Sequence, residues 1–416
     1  MITRTATLLA LGLLFTCPVL SAEENITARW QPLDDLATKA VASQKIPGGS
    51  VRVVENGKVL FDRAYGVADP KSKRSWEKNS PVYIASISKS ITSTLVAVLV
   101  GEGKLAFDDP ISKYMPEYGR LKMRKSGTEV RSPTIAECLS HTAGFPGGTM
   151  GRLPDDSPIR NSGQAVVATI LAKQGLVAKP GTKYAYTFRG YAAVARVVEI
   201  VTGKRFPEVL DEKLLKPLGM SDTTFEPKLE LMKRHPRYAK HIADRDDEEI
   251  SAYLEKRKRE SKGFVNTAGA LISTPDDLVK FYRLHSLRGK LAGNQLIPVK
   301  VLAKLYEKQP GSTGYGLGFK LYGDAVVGHG GASGTIGAVD LKNDRVVVIL
   351  TQAGAAAARP LTRRGMQLAL EIQEDFEDED REQKPFLLGL ITLDLERVFI
   401  GKNKTYGTTM VILLQF

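Results

Sequence analysis

The chain reads as an α/β protein of the α+β type: an antiparallel sheet built from its N- and C-terminal segments, flanked by helices, with a large helical region inserted between them. Three observations predict this. Two strand patterns lie near the N-terminus, four more lie between residues 317 and 351, and the stretch from about 105 to 290 is mainly helical. Strands at both ends imply one sheet closed by distant segments. A seam between that sheet and the inserted helices is a natural place for a site.

The elements follow in order. Arg4, the apolar run Leu8 to Phe15 and the small residues Ser21 and Ala22 form a secretory signal over 1–22. The run is too short to span a bilayer, which predicts cleavage near residue 22 and a periplasmic or secreted protein. Thr16 before Cys17 is not the small residue that lipidation uses, so a lipoprotein anchor is not expected. Residues 29–44 read as an amphipathic helix that stops before Pro47-Gly48-Gly49. Ser50 to Val54 and Lys58 to Tyr65 are strands joined at Asn56-Gly57, a strong hairpin signal. Ile87, Ile91, Leu95, Val98 and Leu99 then give the buried stripe of a helix. Gly144-Phe-Pro-Gly-Gly148 and Pro180-Gly-Thr182 punctuate the helical block. Leu317 to Tyr322, Ala325 to Gly328, Ile336 to Lys342 and Arg345 to Thr351 return to strand patterns, and Arg359 to Ile372 closes as a helix. One domain therefore spans 23–373. An acidic run from Glu374 and an alternating apolar stretch from Phe386 make 374–416 an extension with no role assigned by its sequence.

Composition narrows the partners. Of 416 residues, 43% are apolar and 25% charged, which is the balance of a soluble globular chain. The net charge is +13, with basic clusters at 120–125, 233–237 and 256–262. No groove motif or aromatic platform accompanies them, so nucleic acid is not expected. No later stretch is long and apolar enough for a membrane span. Attraction to an anionic cell envelope suits an exported basic protein, although a solvated surface explains the charge more simply. Cys138 is the single cysteine left after cleavage, and Ala-Glu-Cys-Leu-Ser reads as a core helix face rather than a nucleophile. The five histidines, including His329, show no metal-ligand spacing, so no metal or cofactor is implied.

Ser86-Ile-Ser-Lys89 carries the chemistry. Three residues on a helix return a side chain to nearly the same face, so Lys89 can reach the Ser86 hydroxyl. Serine needs such a partner, because its free hydroxyl is a weak nucleophile. The motif alone is common, and a second copy, Ser75-Trp-Glu-Lys78, lies in a polar stretch with no apolar period after it. Ser86 has the stripe; Ser75 does not.

Seven short stretches resemble, in order, the class C-like branch of the serine β-lactamase and penicillin-binding protein superfamily. They are Pro47-Gly-Gly, Ile84-Ala-Ser-Ile-Ser-Lys-Ser90, Leu139-Ser-His-Thr-Ala-Gly144, Pro180-Gly-Thr-Lys-Tyr-Ala-Tyr186, Pro217-Leu-Gly-Met220, Ser273-Thr-Pro-Asp-Asp-Leu278 and Gly328-His-Gly-Gly331, within roughly 30–372. The resemblance implies a β-lactamase/transpeptidase-like fold and three catalytic motifs. The first is Ser86 and Lys89. The second, Y-x-N, falls on Tyr186-Thr187-Phe188, with Phe188 where asparagine is expected. The third is a histidine version of K-T-G at His329-Gly330-Gly331. It further implies an oxyanion site from the Ser86 and Ala332 backbone N–H groups, with Gly330 and Gly331 admitting substrate and His329 orienting it. Neutral Lys89, tyrosinate at Tyr186 or the coupled pair could take the serine's proton. Phe188 offers no amide to Lys89 or to an acylamino substrate. The expected function is an exported serine hydrolase acting on a small ester or amide through an acyl-serine. A D-alanyl-D-alanine carboxypeptidase or β-lactamase, and a non-catalytic binder of cell-wall peptide, are the alternatives.

Overall fold

In the computed structural model, residues 22–149, 162–237, 245–260, 263–312 and 314–372 are described. The expected leader over 1–22, apart from Ala22, and the expected extension over 374–416 lie outside them. Six strands form the main sheet: β1 (Gly48–Glu55), β2 (Lys58–Gly66), β3 (Lys320–Tyr322), β4 (Val326–Gly331), β5 (Thr335–Asp340) and β6 (Arg345–Thr351). Their spatial order is β2-β1-β6-β5-β4-β3, and every neighbouring pair is antiparallel. The N-terminal hairpin thus meets the C-terminal strands at the β1–β6 pair, the closure expected of strands at both ends.

Local chemistry explains the joints. Asn56 and Gly57 both have positive φ, 50° and 77°, as a two-residue type I′ turn requires. β6, Arg-Val-Val-Val-Ile-Leu-Thr, is buried along its whole length. Such a continuous β-branched run suits a strand covered on both faces. On one face lie helices α1 (Ala22–Ala42) and α5 (Ala355–Leu370), packing Trp30, Leu33, Leu361 and Met366 against Val51, Val53 and Ile349. The other face carries α2 (Ile87–Gly101) and α4 (Pro275–Ser286) in the main core with Val346, Val348 and Leu350. Between α2 and α4 runs the helical insert, including α3 (Arg189–Thr202). A two-residue strand pair, Val82–Tyr83 with Ile272–Ser273, ties the chain just before α2 to the chain just before α4.

Some boundaries differ from the sequence pattern. β3 starts at Lys320 rather than Leu317, because Gly318 at φ 82° turns the chain just before it. β4 continues past Gly328 through His329 to Gly331. α5 begins at Ala355, four residues before the expected Arg359, and holds Pro360 inside. The alanine run at its start has the highest helix propensity and outweighs the hydrogen bond that the proline removes.

Candidate active site

Ser86 sits at the N-cap of α2, half-buried, and makes no side-chain capping bond. Its hydroxyl is left for other work. The residue before it, Ala85, has φ 46°, a left-handed conformation unusual without glycine or asparagine. Side chains around β5 hold this turn in place. Ser333 Oγ donates to the Tyr83 carbonyl at 2.5 Å, and Thr335 Oγ1 donates to the Ile84 carbonyl at 3.1 Å. Gly331 allows the close approach: a Cβ there would lie 2.5 Å from the Ile84 carbonyl oxygen and 3.2 Å from Ala85 Cβ. The end of β4 is therefore wedged against the loop that presents Ser86.

Lys89 is 3% exposed, and its Nζ lies 3.2 Å from Ser86 Oγ. It also donates to the Ala268 carbonyl at 2.7 Å. The second copy of the motif is unlike this: Ser75 is exposed, and Lys78, at 59% side-chain exposure, reaches only toward Asp62.

Tyr186 stands over the pair, with Lys89 Nζ 4.5 Å from its ring centroid. His329 lies across from it, their rings 6.2 Å apart. His329 Nδ1 is 2.6 Å from the Gly330 carbonyl, which can only accept, so Nδ1 carries the proton. Nε2 then accepts from Tyr315 Oη at 2.9 Å. Burial, with the cations of Lys89 and Lys320 behind it, holds His329 well below the usual histidine range, so it is neutral. β3 pairs with β4 only as far as Gly328, whereas β5 flanks it through Gly331. Past Gly328 the outer side of β4 is thus beyond the ladder of β3. Gly330 is half-buried, and a Cβ there would meet only Thr335 O, at 3.6 Å, while Ala332 is exposed.

Phe188 lies at the N-cap of α3. Its side chain is 3% exposed and belongs to the main core, with the Arg189 guanidinium 5.0 Å over its ring. Lys89 takes the Ala268 carbonyl as its acceptor, a group the sequence could not reveal because it belongs to the backbone. Two more residues join the site without having been singled out. Tyr315 fixes His329, and His141 lies 4.4 Å from Tyr186 between ring centroids. Cys138 is fully buried, and burial pushes its thiol well above the ordinary range, so it offers no thiolate. Among the described residues no group of His, Cys, Asp and Glu could hold a metal ion, and no helix is long and apolar enough to cross a membrane.

Three buried neutral histidines give the fold an acid limit. Desolvation lowers His141 and His329 well below 6.5, and takes His285 down to about 3. In the unfolded chain each takes up its proton near pH 6.5, so below that value the unfolded state binds more protons and stability falls with pH. The loss is roughly 1 kcal/mol per pH unit for each histidine until its own folded value is reached. Denaturant midpoints at pH 7 and pH 5 check this, and an equal or higher midpoint at pH 5 rules it out.

This architecture is the one shared by β-lactamases and penicillin-binding proteins. The chain belongs to the β-lactamase family, whose model matches residues 33–371. It is 30% identical over 183 residues to the D-alanyl-D-alanine-carboxypeptidase/endopeptidase AmpH of Escherichia coli K12, covering 43% of this chain and 46% of that one. The match thus spans under half of that relative's length. EstCE1, a hydrolase with promiscuous acyltransferase activity, superposes with a TM-score of 0.66 at 18% identity, over 83% of this chain and 99% of that one. A class C β-lactamase gives 0.64 at 18% identity, over 85% and 98%. At these identities the structural likeness establishes the fold alone.

Proposed function

We propose that the protein is an exported serine hydrolase acting on a small ester or amide through an acyl-serine intermediate, without a cofactor. One observation carries this reading: Ser86 Oγ lies 3.2 Å from the amine of the buried Lys89, at a helix N-terminus pressed against the His329-Gly330-Gly331 strand end. Export rests on the leader-like pattern over 1–22.

In this reading Ser86 Oγ attacks the substrate carbonyl carbon, and its proton passes to the Lys89–Tyr186 pair. The carbonyl oxygen becomes an oxyanion held by the backbone N–H groups of Ser86 and Ala332. The leaving group departs with the proton, and the acyl group stays on Ser86. Water then attacks the acyl carbonyl, giving up a proton to the same base, and Ser86 regains its own. Neutral His329, anchored by Tyr315, orients the substrate beside β4 without adding a second cation next to Lys89.

The similarity to AmpH favours a second reading, a D-alanyl-D-alanine peptidase or β-lactamase. Phe188 weighs against it, because it offers no amide to an acylamino substrate. A non-catalytic binder using the same cleft is the third reading. Fluorophosphonate and fluorescent penicillin separate the three. Fluorophosphonate labelling at Ser86 with poor penicillin labelling supports the esterase-like reading. Strong penicillin labelling selects the peptidase branch, and no labelling by either selects the binder.

Phe188→Asn sharpens the comparison. Removing a buried aromatic ring costs roughly 3–5 kcal/mol, so the variant should melt lower. The acylation rate for a β-lactam relative to a short activated ester should rise, since the amide supplies a missing partner. An unchanged or ester-favouring ratio would show that position 188 does not set specificity.

A further inference from the structure

We propose that His141 is a positioning residue that fixes Tyr186 by clamping the backbone on both sides of it. The inference rests on the reading above, in which Tyr186 shares the proton of Ser86.

The clamp is direct. The His141 carbonyl accepts from Ala185 N–H at 2.8 Å, and His141 Nδ1 accepts from Thr187 N–H at 3.2 Å. The two bonds straddle Tyr186. A third, from Gly148 N–H to the Tyr186 carbonyl at 2.9 Å, holds the residue itself. Any residue could supply the first bond from its backbone. Only a side-chain acceptor at the right height can supply the second. The imidazole also forms the surface on which the phenol ring rests, 4.4 Å away and inclined by 46°.

The arrangement is costly for a residue with only a packing role. His141 has φ 64°, a left-handed conformation that costs a non-glycine residue energy. It is 1% exposed, and since Nδ1 accepts, Nε2 carries the proton. That Nε2 has no hydrogen-bond partner among the described residues, so a buried donor goes unsatisfied. Both penalties fall on the residue in contact with Tyr186.

The surroundings keep the clamp in the accepting state. Tyr184, Tyr186, Tyr191 and Tyr315 face the ring at centroid distances of 5.7, 4.4, 5.4 and 5.0 Å. Burial first, then the charges of Lys89 and Lys320, hold His141 well below the usual histidine range. A protonated Nδ1 could not receive the Thr187 amide, so neutrality and positioning are the same requirement. His141 and His329 are then neutral histidines of opposite tautomer, their rings 4.4 and 6.2 Å from that of Tyr186.

A double-mutant cycle tests the proposal, read by the rate of fluorophosphonate labelling and by ester turnover. His141→Phe keeps a ring and removes the acceptor; His141→Asn keeps an acceptor and tolerates the left-handed backbone. His141→Phe should lower kcat roughly 10-fold to 10²-fold with little change in KM, the scale of a misplaced catalytic group. His141→Asn should recover most of that loss. In a Tyr186→Phe background, His141→Phe should cost almost nothing more, because the two residues act through one function. Equal losses with and without the Tyr186 hydroxyl would overturn the clamp while leaving Ser86 as nucleophile. A wild type that does not label at Ser86 would overturn the underlying reading, and the role of His141 with it. A measurement on the unaltered protein guards against misfolded variants. The ¹⁵N spectrum of its histidines at pH 7 should show His141 neutral and protonated at Nε2, and a proton on Nδ1 refutes the proposal.

Discussion

Ser86→Ala is expected to abolish covalent labelling by a fluorophosphonate, while Ser75→Ala leaves it unchanged. Removing a nucleophile that works with a positioned base lowers turnover on the order of 10⁶-fold in serine hydrolases, which for a label means loss of signal. The structure makes this a clean test. Ser86 makes no side-chain capping bond, so its hydroxyl does little for helix α2. Lys89 keeps the Ala268 carbonyl at 2.7 Å when the serine is gone, so the buried amine is not stranded. Ser86→Ala should therefore fold and melt like the wild type, and loss of labelling would be chemical. Intact mass reads the outcome: one adduct on wild type and on Ser75→Ala, none on Ser86→Ala. An adduct that persists on Ser86→Ala would sink the assignment.

The serine–lysine pair was legible in the sequence because its geometry is local. A helix brings positions 86 and 89 together whatever the rest of the chain does, and the apolar stripe after Ser86 told it apart from Ser75. The Asn56-Gly57 hairpin was readable for the same reason. Other parts of the site depend on contacts far apart in sequence. Lys89 meets its carbonyl acceptor 179 residues away, through a backbone atom that no residue type announces. The resemblance places His329 at the site but gives His141 no role, and only the folded insert sets the His141 ring against Tyr186. Phe188 shows a different limit. Its identity was readable but its direction was not, because the ring turns into the core at the first residue before α3, where the backbone already has helical φ and ψ of −80° and −16°.

Tyr186→Phe should lower ester turnover by roughly 10²-fold or more, the scale of losing a general base. The substitution removes one oxygen and keeps the ring. The contacts of that ring with Lys89 at 4.5 Å and His141 at 4.4 Å therefore persist, and packing changes little. Tyr184→Phe is the matched control. Tyr184 also lies against His141, at 5.7 Å, and against Tyr315, at 5.9 Å, so its ring shares the same cluster. Only Tyr186, however, has its ring beneath the Lys89 nitrogen that faces Ser86 in this comparison. Loss of the Tyr184 hydroxyl should therefore have only a small effect. If Lys89 alone takes the serine's proton, Tyr186→Phe will cost less than about tenfold, since a base contributes at least 10². Severity in the reverse order, with Tyr184→Phe the damaged enzyme, would place the motif two residues earlier and move the proton acceptor to Tyr184.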